Sequence, residues 1–328
     1  MTNWNALYDR LRAAAPSLEL RRDEPMSRHT SFRVGGPVPV MALPKSVDEI
    51  NAVLSVSCLE FGVRPFFMGK GSNLLVSDEG AELLVMKSCD GLDRLELEEE
   101  GKSRDAVRPG ARIIIAGSGV SLARLSSFAL EHGLTGLEFA QGIPGSVGGG
   151  VYMNAGAYGG EMSQVVAAVS SMGLPAEEVR EHLDPRFSYR HSVYQEVHSF
   201  IREVHFLLEP GDPAEIRAKM DDFAARRREK QPLEYPSAGS AFKRPPAVDG
   251  RPVYAAALIE GCGLKGLRVG GAQVSEKHAG FVINRGGATC GDIVELMAQV
   301  RRRVLQETGV ALEPEVRYLG REGEGWNF

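Results

Sequence analysis

Apolar and polar positions divide the first two thirds of the chain into short strands and amphipathic helices. Ser46 and Glu49 have the spacing of a capping box, and the helix that follows them carries apolar residues on one face. A second helix is predicted from Ser121 to His132, because apolar residues recur every three or four positions and Gly133 can end it. Apolar runs predict strands at 37–43, 65–68, 74–76, 83–86, 93–98, 112–116, 165–172 and 199–208.

The pattern changes after Gly211. Asp212 can cap a helix, Pro213 suits its first position, and Glu215 completes a capping box. We expect this helix to end near Lys230, and we place a domain boundary at its start. The expected domains are 1–211, with subdomains of about 1–90 and 91–211, and 212–328.

The C-terminal part is predicted to contain helices near 254–261 and 291–307, a strand at 281–284 and a final strand over LEPEVRYL, residues 312–319. Side chains alternate between the two faces of a strand. The apolar face of LEPEVRYL would then hold Leu312, Pro314, Val316 and Tyr318, and the polar face Glu313, Glu315 and Arg317. The pattern alone favours a solvent-exposed polar face.

Residues 141–162, QGIPGSVGGGVYMNAGAYGGEM, hold eight glycines among 22 residues. Such a stretch is either a flexible linker or a place where something approaches the backbone closely. A linker would be polar and repetitive, whereas this stretch holds isoleucine, valine, tyrosine and methionine, so we expect it to be packed.

Two further glycine turns, GKGSN (69–73) and AGSG (116–119), follow strand-like runs. Backbone N–H groups in such turns can bind phosphate. No P-loop is present, and G-K-G-S-N-L breaks the dinucleotide fingerprint at its last position. Each turn alone is more commonly structural, but three together favour an extended ligand, such as a dinucleotide cofactor, lying across several loops.

Composition narrows the function classes. The chain has 328 residues, 43% apolar and 25% charged, and its net charge of −5 argues against nucleic acid as the main partner. The N-terminus has no secretory apolar region, and no apolar run approaches the ~20 residues of a membrane helix. Four scattered cysteines, including Cys89, fit free thiols, and the histidines show no metal-ligand spacing. We therefore expect a soluble cytoplasmic protein without a metal site.

Several polar groups leave alternatives open. The serines of YPSAGSAFKRP either cap a turn or donate a proton to a strong base, and no nucleophile motif surrounds them. The run Arg226–Arg228 suits a helix C-terminus, and it would also suit a diphosphate. Arg190 in FSYRHS either stacks on the aromatic residues beside it or clamps a carboxylate.

Seven motifs stand in order along the chain: HTSFRVGG (29–36), MGKGSNLLVSD (68–78), GLEFAQGIPGSVGGGVYMNAGAYGGE (136–161), FSYRHS (187–192), QPLEYPSAGSAFKRP (231–245), GGAQVSEKHAGFVIN (270–284) and LEPEVR (312–317). Their order resembles that of the UDP-N-acetylenolpyruvoylglucosamine reductase family. The resemblance covers roughly residues 25–320, with one departure, Gly150, where alanine is expected. The short segment between Arg190 and the strand at 199–208 resembles the shorter, type II branch.

The resemblance implies an α+β fold: an FAD-binding region of the PCMH/vanillyl-alcohol-oxidase type, followed by a smaller α+β domain for a UDP-sugar. FAD would be bound non-covalently, with NADPH as the hydride donor. The implied reaction reduces the enolpyruvyl ether of UDP-N-acetylglucosamine to UDP-N-acetylmuramate, a peptidoglycan precursor. Implied cofactor-binding residues are Gly69, Lys70, Gly71, Ser72, Asn73, Leu74, Gly117, Gly119, Gly145, Ser146, Gly148, Gly149, Asn154, Gly156 and Ala157.

By motif position, Arg190 and Glu315 match the family residues that hold the substrate carboxylate and its enolate-like intermediate, and Ser240 matches the proton donor. The final strand would return Glu315 to the active site, and a monomer is expected. Expected substrate-binding residues are Tyr189, Arg227, Arg228, Lys243 and Lys277. The competing hypotheses are another FAD-dependent oxidoreductase of this fold acting on an alcohol, and a non-catalytic UDP-sugar or nucleotide binder.

Overall fold

A computed structural model describes residues 2–88, 91–98, 110–173, 179–182, 185–247 and 250–326. The described α-helices are α1 (Trp4–Ala14), α2 (Val47–Leu54), α3 (Leu122–Glu131), α4 (Val147–Tyr152), α5 (Pro213–Lys230), α6 (Ala255–Gly261) and α7 (Cys290–Thr308). The described strands are β1 (Glu19–Pro25), β2 (Pro37–Leu43), β3 (Phe66–Met68), β4 (Leu74–Val76), β5 (Leu84–Lys87), β6 (Leu95–Leu97), β7 (Arg112–Gly117), β8 (Leu134–Thr135), β9 (Gly156–Ala157), β10 (Gly160–Glu161), β11 (Val166–Met172), β12 (Val179–His182), β13 (Phe200–Pro210), β14 (Ser237–Ser240), β15 (Arg268–Val269), β16 (Ala272–Val274), β17 (Phe281–Asn284), β18 (Arg317–Gly320) and β19 (Gly323–Glu324).

Helix starts are encoded locally, although the Glu49 carboxylate accepts from the Lys45 N–H at 2.6 Å and does not complete the expected capping box with Ser46. The Ser46 side chain accepts from the Glu49 N–H at the start of α2, and Ser121 accepts from the Arg124 N–H at the start of α3. At α5 the Asp212 carboxylate accepts from the Ala214 N–H. These bonds satisfy N–H groups that have no partner within the helix, which fixes where each helix begins.

Contacts divide the chain into two compact units. The first unit comprises Met1–Arg22, Val40–Lys70 and Leu83–Arg226, and the second comprises Asp23–Pro39, Gly71–Glu82 and Arg227–Phe328. This division differs from the expected single boundary before α5, because two early segments belong to the second unit. There β4 pairs in parallel with β18, and the Asn284 side-chain amide donates to the Phe32 carbonyl at 3.0 Å.

The first unit contains two sheets. One has the order β1-β2-β5-β3, with parallel pairing of β2 and β3 on β5. The other has the order β12-β11-β13-β7-β6 and is antiparallel, with β8 added on β13. Buried apolar residues of β7 and β13 pack with α3 and α4, including Ile114, Leu125, Val147, Val151 and Phe206. This core positions the glycine-rich segments.

The second unit contains an antiparallel sheet, β14-β17-β16-β15, and a three-stranded sheet, β19-β18-β4. Helix α7 packs on it through the apolar stripe that the sequence predicts, with Ile293, Leu296, Met297, Val300 and Val304 all buried. Its Thr289 and Asp292 form a reciprocal capping box, and Gly309 ends it in the left-handed conformation.

The predicted strand over LEPEVRYL is wrong in its first half, because β18 begins only at Arg317. Leu312 and Val316 are buried as expected, but Pro314 forms an isolated bridge with Phe242. Proline has no N–H to donate to a strand ladder, which limits this segment to a short bridge.

The described cysteines, Cys58, Cys262 and Cys290, are free thiols, and Cys89 lies outside the described residues. Burial raises the pKa of the Cys290 thiol to about 12. Within the described part of the chain, no helix is both long enough and apolar enough to cross a membrane.

Candidate active site

Two of the glycine-rich segments meet in the first unit. Gly69 follows β3, and a Cβ on it would lie 2.3 Å from the Ser146 Oγ. Ser146 caps α4 and is 1% exposed, so it cannot move away cheaply. Glycine is therefore required at position 69 by the close approach of the other segment, although the two are far apart in the sequence.

The GKGSN turn leaves backbone donors available. Among the described residues, no protein acceptor binds the N–H groups of Gly69, Lys70, Gly71 or Ser72, nor that of Gly145. Successive N–H groups without protein acceptors form the kind of concavity that binds a phosphate. Leu74, the last expected cofactor contact of this motif, is instead buried at the start of β4.

The AGSG turn differs, because the protein uses its N–H groups. The Gly117 N–H donates to the Arg94 carbonyl at 2.8 Å, and the Gly119 N–H donates to the Leu92 carbonyl at 2.9 Å. The Ser118 N–H is also bonded, but its buried Oγ has no partner in the described structure. The N–H groups of Gly117 and Gly119 are therefore not available for the expected cofactor contacts. The group of this turn that could bind a ligand is the Ser118 hydroxyl.

The stretch 141–162 is packed, as expected, and contains an unexpected helix, α4, with three glycines. A Cβ on Gly148 would lie 2.9 Å from the Ser118 Cβ, and one on Gly150 would lie 2.8 Å from the Met162 Cε. The third glycine of α4, Gly149, has no neighbour closer than the Ser146 Oγ at 3.6 Å, and Gly159 has none within 4 Å. Gly148 and Gly150 are therefore required by the close approach of other protein residues, not of a ligand.

Asn154 was expected to contact the cofactor, but its side chain is completely buried. Its amide nitrogen donates to the Ser188 carbonyl at 3.0 Å, and its amide oxygen accepts from the Ser163 N–H at 3.0 Å. A fully buried side chain has no surface for a ligand. The structure therefore contradicts a side-chain contact and supports a role in holding the neighbouring loops.

Arg190 lies in a tight turn, in which the Ser188 and His191 N–H groups and carbonyls are mutually bonded at 3.1 Å. Its φ is 56°, in the left-handed region. Its guanidinium donates to the Gly156 carbonyl at 3.3 Å, next to Ala157 in the short strand β9. Tyr189 is 46% exposed, with its ring 5.2 Å from the Arg190 Cζ. Several expected site residues thus converge in the first unit.

In the second unit Ser240, Glu315 and Asn73 converge. Ser240 ends β14 opposite Phe281 of β17, and the next residue, Ala241, accepts from the Glu315 N–H at 2.9 Å. The Asn73 side-chain amide donates to the Glu315 carbonyl at 3.1 Å. Among the described residues, no partner binds the Ser240 hydroxyl, which leaves its proton available.

Several basic residues expected to bind substrate already have protein partners. Lys243 forms an ion pair with Glu313, and the Lys277 ammonium donates to the Arg228 carbonyl at 2.7 Å. Arg227 is 8% exposed near the end of α5, whereas the Arg228 side chain is exposed. Lys243 is therefore paired with a carboxylate, and Arg228 is the more accessible of the two arginines.

A separate cavity of about 370 Å³ lies in the second unit, at the start of the strand that ends in Ser240. Its lining residues are Arg33, Tyr235, Pro236, Asn284, Arg285, Gly286 and Gly287. Ser240 and Glu315 lie outside this lining.

Two family descriptions match the chain: "FAD binding domain" over residues 38–174, and "UDP-N-acetylenolpyruvoylglucosamine reductase, C-terminal domain" over residues 231–319. Together with the fold they define a flavin-dependent oxidoreductase. The expected α+β class with an FAD-binding region of PCMH type is thereby confirmed.

Curated relatives cover nearly the full chain. The UDP-N-acetylenolpyruvoylglucosamine reductase of Caldanaerobacter subterraneus is 43% identical over 96% of this chain and 98% of its own length. That of Geobacillus kaustophilus is 42% identical over 98% of this chain and its full length. A crystal structure of the reductase from Thermus caldophilus has a TM-score of 0.73 at 31% identity, covering 92% of this chain and 98% of that one. The chain belongs to the UDP-N-acetylenolpyruvoylglucosamine reductase family.

Proposed function

We propose that the chain reduces the enolpyruvyl ether of UDP-N-acetylglucosamine to UDP-N-acetylmuramate, with NADPH as reductant and FAD as cofactor. The observation that carries the proposal is the arrangement of Ser240 and Glu315 on adjacent backbone segments, with the Ser240 hydroxyl bonded to none of the residues that the structure describes. An alcohol-oxidising flavoenzyme is not favoured, because residues 231–319 match the reductase C-terminal domain.

The residues present fit FAD. The unbonded N–H groups of the GKGSN turn suit its pyrophosphate, and the unpaired Ser118 hydroxyl and Gln141 amide oxygen suit its polar ring or ribose atoms. Gly69, Lys70, Gly71, Ser72 and Gly145 would hold it. The chemistry that bound FAD supplies is hydride transfer, from NADPH to the terminal methylene of the enolpyruvyl group.

Ser240 donates the proton that completes the reduction. Hydride addition to the methylene leaves negative charge on the ether-bearing carbon, and a carbanion is a strong enough base to take a proton from an ordinary hydroxyl. The pairing of Ser240 with Phe281 at the end of β14 fixes the Ser240 backbone, so the proton is delivered to that carbon from one side.

Arg190 and Glu315 act on the substrate carboxylate, where the charge develops. A guanidinium binds a carboxylate through two parallel hydrogen bonds, and fixed donors are most effective where charge increases in the transition state. Glu315 can assist an anion only when it is protonated or when it orients another donor. Its backbone is fixed from both sides, by Ala241 and by Asn73.

The nucleotide part of the substrate is assigned to the basic residues and to Tyr189. Arg228 and Arg227 suit the diphosphate, Lys277 helps to fix Arg228, and Lys243 contributes if the diphosphate displaces Glu313. We further propose a monomer of the type II branch that acts in the cytoplasm. Its product would serve peptidoglycan synthesis, and through it cell shape and division.

The proposal is tested by stopped-flow measurement of both half-reactions on the purified, yellow protein. NADPH should bleach the flavin absorbance, and the enolpyruvyl UDP-sugar should restore it with formation of UDP-N-acetylmuramate. A protein that is reduced by NADPH but not reoxidised by this substrate would contradict the assignment. A colourless protein that cannot be reconstituted with FAD would exclude any flavoenzyme.

A further inference from the structure

The backbone of Arg190 is in a conformation that arginine rarely adopts. Its φ is 56°, the region that glycine occupies at no steric cost, and the turn is closed by two hydrogen bonds between Ser188 and His191. A strained residue of this kind persists only where its surroundings hold it in place. The residues that hold the turn therefore control where the guanidinium is presented.

Gln195 holds the C-terminal side of the turn. Its amide nitrogen donates to the Arg190 carbonyl at 3.0 Å and to the Tyr152 carbonyl at 2.9 Å. A primary amide has two N–H donors, and these two bonds use both. The Gln195 amide thus connects the strained residue to the end of α4, and the Ser192 hydroxyl donates to the same Tyr152 carbonyl at 2.9 Å.

Asn154 holds the N-terminal side. It is fully buried, and its amide nitrogen donates to the Ser188 carbonyl while its oxygen accepts from the Ser163 N–H. It therefore links the turn to the loop that contains Gly156, whose carbonyl accepts from the Arg190 guanidinium. The amides of Gln195 and Asn154 therefore tie the turn around Arg190 to the segment 152–163, which also holds the carbonyl that its guanidinium contacts.

We infer that Gln195 and Asn154 are positioning residues that fix Arg190 in its left-handed turn, so that its guanidinium meets the substrate carboxylate ready-oriented. The inference rests on the proposed function of Arg190. Because both amides are bonded to protein groups, we expect neither to bind substrate nor to affect flavin reduction by NADPH. Loss of either amide releases the turn, and Arg190 must then be ordered by the substrate at a cost in affinity.

The test is Gln195→Glu, which keeps the size of the side chain and removes both donors. Because one hydrogen bond is worth about a three- to tenfold change, we expect the KM for the enolpyruvyl substrate to rise by about that factor or more. Reduction of the flavin by NADPH should stay unchanged. Gln164→Glu is the matched control, since Gln164 also donates to a carbonyl, that of Gly159, but does not touch the turn.

A double-mutant cycle with Arg190→Ala separates positioning from general destabilisation. If Gln195 acts through Arg190, Gln195→Glu should have no further effect on reoxidation in the Arg190→Ala background. Additive losses, or wild-type KM in Gln195→Glu, would overturn the inference. Wild-type reoxidation in Arg190→Ala alone would instead overturn the proposed role of Arg190.

Asn154→Gly provides an independent variant, because glycine accepts the positive φ of 41° found at Asn154 and lacks the amide. Asn154→Gly should also raise the KM for the enolpyruvyl substrate. In the Arg190→Ala background it should have no further effect on reoxidation. Should Gln195→Glu lose FAD, Gln195→Leu removes the donors without adding charge and is measured in its place.

Discussion

Arg190 and Ser240 are held in place by different means. Ser240 lies at the end of β14, whose pairing with β17 is irregular between Ser237 and Ser240, and the left-handed position in that segment belongs to Gly239, with a φ of 77°. In the turn of the first unit, the arginine itself occupies the left-handed position. The second unit thus separates the strained backbone from the functional side chain, whereas the first unit combines them. Substitutions should therefore affect chemistry alone at Ser240, but chemistry and stability at Arg190.

The largest effect is expected for Ser240→Ala. Flavin reduction by NADPH should remain at the wild-type rate, and reoxidation by the enolpyruvyl substrate should slow by about 10²- to 10⁴-fold, the usual contribution of a proton donor. Stopped-flow absorbance measures both steps. Ser237→Ala, in the same strand, is the control and should leave both rates unchanged. Normal reoxidation in Ser240→Ala would show that another group supplies the proton.

A smaller effect is expected for Arg190→Lys. An ammonium retains the charge but not the paired donors of a guanidinium, so kcat/KM for the enolpyruvyl substrate should fall by about 10- to 100-fold. NADPH reduction again serves as the internal control. An unchanged kcat/KM would mean that Arg190 acts only as a positive charge.

The contrast in backbone strain is tested by stability. Arg190→Gly should be more stable than Arg190→Ala by about 1 kcal/mol, since a left-handed alanine is disfavoured by about that amount. Gly239→Ala should lose a similar amount for the same reason. Urea unfolding measures all three. Equal stability of the glycine and alanine variants at position 190 would show that the turn relaxes when arginine is absent.

The smallest expected effect is a pH dependence of the free energy of unfolding, caused by His278, which lies beside the strand that pairs with Ser240. Burial lowers the pKa of His278, whose Nδ1 accepts from the Gly280 N–H and whose ring contacts Phe281, the partner of Ser240. Because the unfolded state binds the proton more readily, stability should fall as pH drops below about 6.5. The urea midpoint at pH 7.5 and 5.5 should differ less in His278→Asn than in wild type. An identical pH response in both would exclude His278 as the source.

Much of the fold is predictable because its signals are local. Caps at Ser46, Ser121 and Asp212 mark helix starts, and the stripe from Ile293 to Val304 marks a buried helix face. Helix α4 is not predictable in this way, because three consecutive glycines each disfavour a helix by about 1 kcal/mol relative to alanine. Packing of Gly148 on Ser118 and of Gly150 on Met162 requires them, and those contacts are non-local.

The candidate site shows the same limit. Motif order predicts Arg190, Ser240 and Glu315 as site residues, but it does not reveal which N–H groups of a glycine turn are already bonded. AGSG and GKGSN look equivalent as sequences, and only the structure shows that the first donates to Leu92 and Arg94. Gln195 was missed entirely, since a single glutamine after FSYRHS carries no periodicity or spacing signal.

The discontinuous second unit has a consequence for the order of events during synthesis. Asn73 and Glu315, which it bonds together, are separated by 242 positions, and β4 has no β18 to pair with until almost the whole chain has been made. At about 5–20 residues per second, a ribosome needs roughly 12 to 50 seconds to cover that distance. The segment Gly71–Glu82 must wait that long with its pairing edge open, and an open strand edge is able to pair with another chain.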